Sequence, residues 1–196
     1  MKSDIILAGV GGQGILSIAA SIGLAALEDN LLLKQAEVHG MSQRGGAVQS
    51  HLRISDLEIA SDLIPMGQAD LILSVEPMES LRYIPWLSKD GWLVTNTEAF
   101  INIVNYPDQQ IILQEIRRVP KHITINADEI AGKLGSIRSS NMVMLGAASK
   151  FIPISIDNFH AGIRKIFQKK GEELIKINIL AFEAGRDACQ KYLNSQ

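Results

Sequence analysis

Two glycine-bearing segments carry most of the residues that could do chemistry. In the first, Gly9-Val10-Gly11-Gly12-Gln13-Gly14, the residues Gly9, Gly11 and Gly14 fit the spacing G-x-G-x-x-G. In a dinucleotide site of this form the first glycine makes a tight turn and the second lets backbone N–H groups approach a pyrophosphate. The third lets helix and strand pack closely, and the phosphate meets the helix N-terminus. An acid about 20 residues further on would hold the ribose, and Glu37 stands in that place. By motif alone this is a nicotinamide or flavin site. The motif is short and common, and Gly12 and Gln13 alter the loop. The same glycines could serve only the turn and the packing, so both readings stay open here.

The second segment runs from Ala36 to Arg53. It places Gly40, Gly45 and Gly46 around Arg44, with His39 and Gln43 beside them. Backbone N–H groups exposed next to a guanidinium suit a phosphate, a carboxylate or a partner's acidic group. His39 and His51 lack a third ligand for a metal. The four histidines, His39, His51, His122 and His160, form no spaced metal or proton-relay pattern. The single cysteine, Cys189, cannot build a disulfide within the chain, a four-cysteine zinc site or an iron–sulfur cluster. It reads as a small buried hydrophobe.

These segments need elements to position them. Continuous apolar runs predict strands over Asp4 to Ala8, Leu32 to Val38, Ala47 to Ile54, Ala69 to Val75, Gly91 to Asn96 and His122 to Asn126. Helices are expected over Ile15 to Glu28, from Pro77 through Tyr83, and after Asn126. In the last, Glu129 sits at capping-box spacing and Gly135 is the stop. The C-terminal third reads as three helices, Asn141 to Lys150, Ser155 to Lys170 and Glu172 to Tyr192. Arg164, Lys165, Lys169 and Lys170 form a solvated helix end. The expectation is an α/β fold, a Rossmann-like, mainly parallel sheet with flanking helices and a helical C-terminal third. It forms a single domain over 1–196, with the helical part from about residue 136. The helix from Ile15 is apolar all round and must be covered on both sides. Either the C-terminal helices or a second subunit would do this, the latter including a homodimer.

Nineteen basic against 21 acidic side chains give a net charge of -2, so no basic face points to nucleic acid. The apolar stretch from Ile15 to Leu27 is shorter than the roughly 20 residues of a bilayer span. The N-terminus runs directly into a strand pattern, without a signal peptide. A cytoplasmic location away from membranes is therefore expected.

The glycine loop followed by Glu37-Val38-His39-Gly40-Met41-Ser42-Gln43-Arg44-Gly45-Gly46 resembles the pyruvate/ketoisovalerate oxidoreductase gamma-type family. Within it, the His-Gly-Met-x-Gln-Arg-Gly-Gly form resembles the indolepyruvate:ferredoxin type of beta subunit. Two later pieces agree: Ala69-Asp70 leading through Glu76-Pro77-Met78-Glu79 to Leu81-Arg82-Tyr83, and Asn141-Met142-Val143-Met144-Leu145-Gly146. The resemblance spans most of the chain.

It implies a holoenzyme that decarboxylates an aryl 2-oxoacid, passes electrons to ferredoxin and transfers the acyl group to coenzyme A. Thiamine diphosphate and the iron–sulfur clusters would belong to a larger alpha subunit. This chain, which lacks a Gly-Asp-Gly signature, would bind no cofactor and be silent alone. Gly11, Gly12, Gln13, Gly14, Glu37, His39, Gln43, Arg44, Gly45, Gly46, Glu76 and Asn96 fall at or near expected strand ends. There they would form an edge for ligand or subunit contact. For Glu76 and Asn96, helix capping or turn formation is the plainer role. Two other classes stay in view: a stand-alone NAD(P)- or FAD-binding protein, and a scaffold that only docks a partner. A gamma subunit of a pyruvate- or 2-oxoglutarate-type ferredoxin oxidoreductase is the near variant of the first reading.

Overall fold

In the computed structural model, residues 1–40, 45–101 and 103–195 are described. Strand β1 (Lys2–Val10) is buried along nearly its whole length, as its apolar run requires. Helix α1 (Ile15–Glu28) follows the glycine loop, then come β2 (Leu32–His39) and β3 (Ala47–Ser55). After them lie β4 (Ala69–Ser74), α2 (Pro77–Arg82), β5 (Leu87–Asn96), α3 (Gln109–Arg117), β6 (His122–Ile125) and α4 (Ala127–Lys133). From residue 136 every described element is helical, chiefly α5 (Ser140–Ala148), α6 (Ile156–Phe167) and α7 (Glu172–Asn194).

The six strands form one sheet in the order β2-β3-β1-β4-β5-β6. Strands β1, β4, β5 and β6 run parallel, while β3 lies antiparallel to both β1 and β2, so the sheet is mixed. Five of the six strands therefore point the same way, as expected of a mainly parallel sheet, and the reversal of β3 has a local cause. Strands β2 and β3 are joined by a short connection, which suits antiparallel pairing with each other. Strand β3 buries Val48, Leu52 and Ile54 and takes the inner place. Strand β2, with Lys34 and Gln35 exposed, takes the edge. Unlike its counterpart in a dinucleotide fold, β2 is not the neighbour of β1.

Alternate residues of each strand serve two apolar layers. Ile5, Leu7, Leu71, Leu73 and Val94 face the larger one, with α1, α5, α6 and α7. Ile6, Ala8, Ile72 and Leu93 face the smaller one, with Ile112 and Ile116 of α3. The C-terminal helices do cover α1: a Cβ at Gly162 of α6 would lie 2.7 Å from the Ser21 carbonyl oxygen. Leu16 and Leu27 of α1 remain more than half exposed. Helices α5 and α7 approach more closely still, backbone to backbone, at Gly146 and Gly185. Cys189 of α7 is fully buried, and burial pushes its thiol above the ordinary value. Across the sheet, buried Asp4 accepts two hydrogen bonds from Arg53, at 2.8 and 3.0 Å. No helix among the described residues is long and apolar enough to cross a membrane.

Candidate functional site at the strand ends

The antiparallel course of β3 brings the two glycine segments together. Its first residue, Ala47, sits opposite Val10, the last of β1. Beyond the strand ends the Gly11 N–H donates to the Gly46 carbonyl at 2.9 Å, and the Gly45 N–H to the Gly11 carbonyl at 3.4 Å. Residues about 35 apart in sequence thus form one seam at the edge where β1, β4 and β5 end. His39 closes β2, but its side chain, together with Met41, Ser42, Gln43 and Arg44, lies outside the described residues.

Within the loop the residues divide by role. A Cβ at Gly9 would stand 2.4 Å from Val75 Cγ2, so this glycine serves close packing against the chain after β4. Gln13 folds inward: its Oε1 accepts the Val10 N–H at 2.8 Å and its Nε2 donates to the Val75 carbonyl at 3.3 Å. Gly12 has φ of 103° and faces open space among the described residues. Gly14 has φ of 82°, and a Cβ there would lie 2.4 Å from Asn141 Nδ2, which donates to the Gly14 carbonyl at 3.2 Å. Asn141 thereby ties the start of α5 to the start of α1.

Glu76 and Asn96 act first as caps. The Glu76 side chain is the N-cap of α2, its Oε2 accepting the Glu79 N–H at 2.7 Å, with Pro77 in the first turn. Its Oε1 accepts the Tyr106 hydroxyl and, at 3.4 Å, the Phe100 N–H. Burial raises the Glu76 carboxyl above the usual carboxylate range, and these three donors oppose the shift. Burial, then the contact with Glu76, raises the Tyr106 hydroxyl. Asn96 Oδ1 accepts the Ala127 N–H at 3.0 Å at the start of α4, and its Nδ2 donates to Asp128 at 2.7 Å.

Between these elements lies a cleft of about 380 Å³, bordered by Gly12, Gly14, Asn96, Phe100, Arg138 and Ser140. Helices α1 and α5 both begin here, and neither has a side-chain cap among the described residues. Arg138 is exposed and has no hydrogen-bond or ion-pair partner among them. The N-terminus of α1 beside an uncommitted guanidinium favours an anion; at α5 the Ser140 N–H already donates to the Ile137 carbonyl and the Met142 N–H to Asn141 Oδ1. The sequence reading missed Arg138, although it stands three residues before the Asn141 piece. A larger apolar groove, about 730 Å³, lies at the other end of β5, and none of the expected site residues borders it.

Glu37 is not brought to the glycine loop. It pairs with Ser50 across β3, its carboxylate is 3.2 Å from Gln35 Nε2, and β3 separates it from β1. The acid that a dinucleotide site needs beside the loop is thus two strands away. No group of three or more His, Cys, Asp or Glu among the described residues could hold a metal.

Comparison with known proteins sets this edge in its family. Residues 4–188 match the model of the pyruvate ferredoxin/flavodoxin oxidoreductase family. The chain belongs to that family. It is 37% identical to an indolepyruvate oxidoreductase subunit IorB of Archaeoglobus fulgidus, over 94% of each chain. With the corresponding subunit of Pyrococcus horikoshii it shares 35% identity, over 97% of this chain and 98% of the relative. A 2-oxoglutarate synthase subunit KorC of Methanothermobacter marburgensis is 31% identical over 95% of this chain and 96% of its own. Among solved structures, a 2-oxoglutarate:ferredoxin oxidoreductase of Magnetococcus marinus superposes with a TM-score of 0.77 at 23% identity. The match covers 97% of this chain but 31% of that one. A pyruvate oxidoreductase subunit of Thermotoga maritima gives 0.73 at 22%, over 95% and 96%. These two likenesses bear on the fold.

Proposed function

We propose that this chain is the beta subunit of a ferredoxin-dependent indolepyruvate oxidoreductase, a cytoplasmic enzyme that converts an aryl 2-oxoacid to its acyl-coenzyme A. The observation that carries the reading is the 35–37% identity to indolepyruvate oxidoreductase subunits along nearly the whole chain. The edge described above supports a role beside the chemistry rather than in it. It offers N–H groups and Arg138 to an anion, but among the described residues no nucleophile with an adjacent base.

Thiamine diphosphate and the iron–sulfur clusters are assigned to the larger alpha subunit. The donor chemistry of this chain does not fit a cluster: its single thiol, Cys189, is buried in α7. Coenzyme A does fit the edge, as a co-substrate. Its phosphates would meet the α1 N-terminus and Arg138, with Gly11, Gly12 and Gly14 allowing close approach. Arg44 and Gly45-Gly46, across the seam, are proposed to hold the same ligand or the partner's surface. A stand-alone NAD(P) or FAD protein is disfavoured by the place of Glu37.

Anaerobic affinity purification of the chain from its native cells tests the reading. It stands if a larger iron–sulfur, thiamine-bearing subunit comes with the chain and the complex reduces ferredoxin with indolepyruvate and coenzyme A. A chain that comes alone, carrying flavin or nicotinamide, defeats it. Arg44→Ala in the complex is expected to raise the coenzyme A requirement or weaken assembly.

A further inference from the structure

The loop after β5 presents an apolar surface that the chain itself leaves uncovered. Ile101 is 74% exposed and Val104 fully so, while Phe100 and Ile103 are nearly half exposed. Ile137, across the cleft that Phe100 also borders, is 64% exposed. Taking side-chain areas of about 150–250 Å² for large residues, the group leaves on the order of 500 Å² of apolar surface in water. From Thr97 to Pro107 the only charged residue is Glu98.

Described residues on both sides of the exposed group are tied to the body of the fold. Gln109 Nε2 donates to the Thr97 carbonyl at 2.7 Å and closes the base of the loop. Inside that closure, one buried oxygen of Glu76 accepts both the Phe100 N–H and the Tyr106 hydroxyl, pegging the loop on either side of its exposed residues. A buried carboxylate is costly unless its lone pairs are satisfied. Here it fixes a loop in which Phe100, Ile101, Ile103 and Val104 stay exposed while Tyr106 packs against the smaller apolar layer. Closed loops of this kind, ends together and tip outward, are frequently binding elements.

We infer that Phe100, Ile101, Ile103 and Val104, with Ile137, form the surface on which the larger subunit of the oxidoreductase seats. This rests on the function proposed above. A stable interface buries about 800 Å² on each side, with an apolar centre and a polar rim. The exposed apolar area supplies such a centre. Glu98 and Asn105, both exposed, supply a rim. The surface borders the cleft assigned to coenzyme A, so the larger subunit would close that cleft as it docks.

The test compares binding of the purified larger subunit to the wild-type chain, to Ile101→Asp/Val104→Asp, and to Leu57→Asp. Leu57 is 73% exposed and lies after β3, at the opposite strand ends. Because all three positions are exposed, each variant should melt like the wild type. The double variant should bind on the order of 100-fold more weakly, and Leu57→Asp within about twofold of wild type. Unchanged affinity of the double variant overturns the inference. So does a wild-type chain that self-associates through this loop, seen as a dimer that the double variant turns into monomer without loss of larger-subunit binding. A wild-type chain that fails to bind the larger subunit at all defeats the proposed function instead, and the inference with it.

Discussion

Replacing Gly146 by alanine asks how tightly the C-terminal layer is built. An ideal Cβ at Gly146 would lie 1.8 Å from the Phe182 carbonyl oxygen and 2.7 Å from its carbon. Both are backbone atoms of α7, so no rotamer change relieves the clash. Restoring an ordinary contact needs roughly 1.5 Å of separation between α5 and α7. That movement loosens the packing of Phe182 and Met142, which are fully buried. Alanine gains about 1 kcal/mol of helix propensity. Overpacking against a rigid neighbour costs about 1–3 kcal/mol, and loss of contacts along the parted helices adds to it. The expected net loss is about 3 kcal/mol, a fall in Tm of roughly 6–12 °C for a chain of this size. Urea denaturation of the purified chain measures it. Gly185→Ala should do the same, since its Cβ would lie 1.9 Å from the Val143 carbonyl oxygen. One separation accommodates both methyls, so the double variant should lose less than the sum. A Gly146→Ala chain as stable as wild type would refute the reasoning.

Four further outcomes follow from the geometry. Gly14→Ala should lose about 1–3 kcal/mol in thermal melts, from its left-handed backbone and the Asn141 contact. Gly12→Ala, with open space around it, should lose only the backbone part. For His51, burial holds the imidazole below its ordinary value of about 6.5; Asp62 opposes this and Arg53 adds to it. The folded state then binds fewer protons than the unfolded, so stability is full above that pH and is lost as pH falls through the lowered value. The urea midpoint measured from pH 8 to 5 should show this slope. His51→Gln should lack it, though it also loosens the Ile64 N–H that His51 Nδ1 accepts at 3.0 Å. Tyr106→Phe removes a donor from the Glu76 carboxylate; a stability loss of about 1–2 kcal/mol and faster proteolysis near residue 100 are expected. In the assembled oxidoreductase, Arg138→Gln should raise the KM for coenzyme A about tenfold; an unchanged KM would remove Arg138 from that site.

Much of the fold was legible because buried strands announce themselves as short apolar runs. The starts of β1, β4 and β6 lie within a few residues of where those runs place them. Helix α3 escaped notice: only Ile112 and Ile116 of its nine residues are buried, although Asp108 caps it. The first half of β5 was hidden too, since Ser88-Lys89-Asp90 reads as a loop. It is drawn into the sheet by pairing with β4 across a register shift near Gly91. Strand order was the larger gap. The glycine motif says that a helix follows β1, not that β3 will insert beside it. The placement of Glu37 failed for that reason. The meeting of Gly11 with Gly46 is likewise a consequence of topology that neither motif contains. Glu76 and Asn96 were better read, because proline after Glu76 and a strand end at Asn96 are local signals of capping.

The one cysteine has a use its burial makes possible. Cys189 is enclosed between α7 and the layer beneath it, and its thiolate is disfavoured there. A thiol reagent can therefore reach it only when that layer opens, and there is no second thiol to blur the signal. The rate of labelling in native buffer becomes a clock for the opening of the helical layer. If the larger subunit seats on the far edge and steadies the whole fold, the clock should slow as the complex forms.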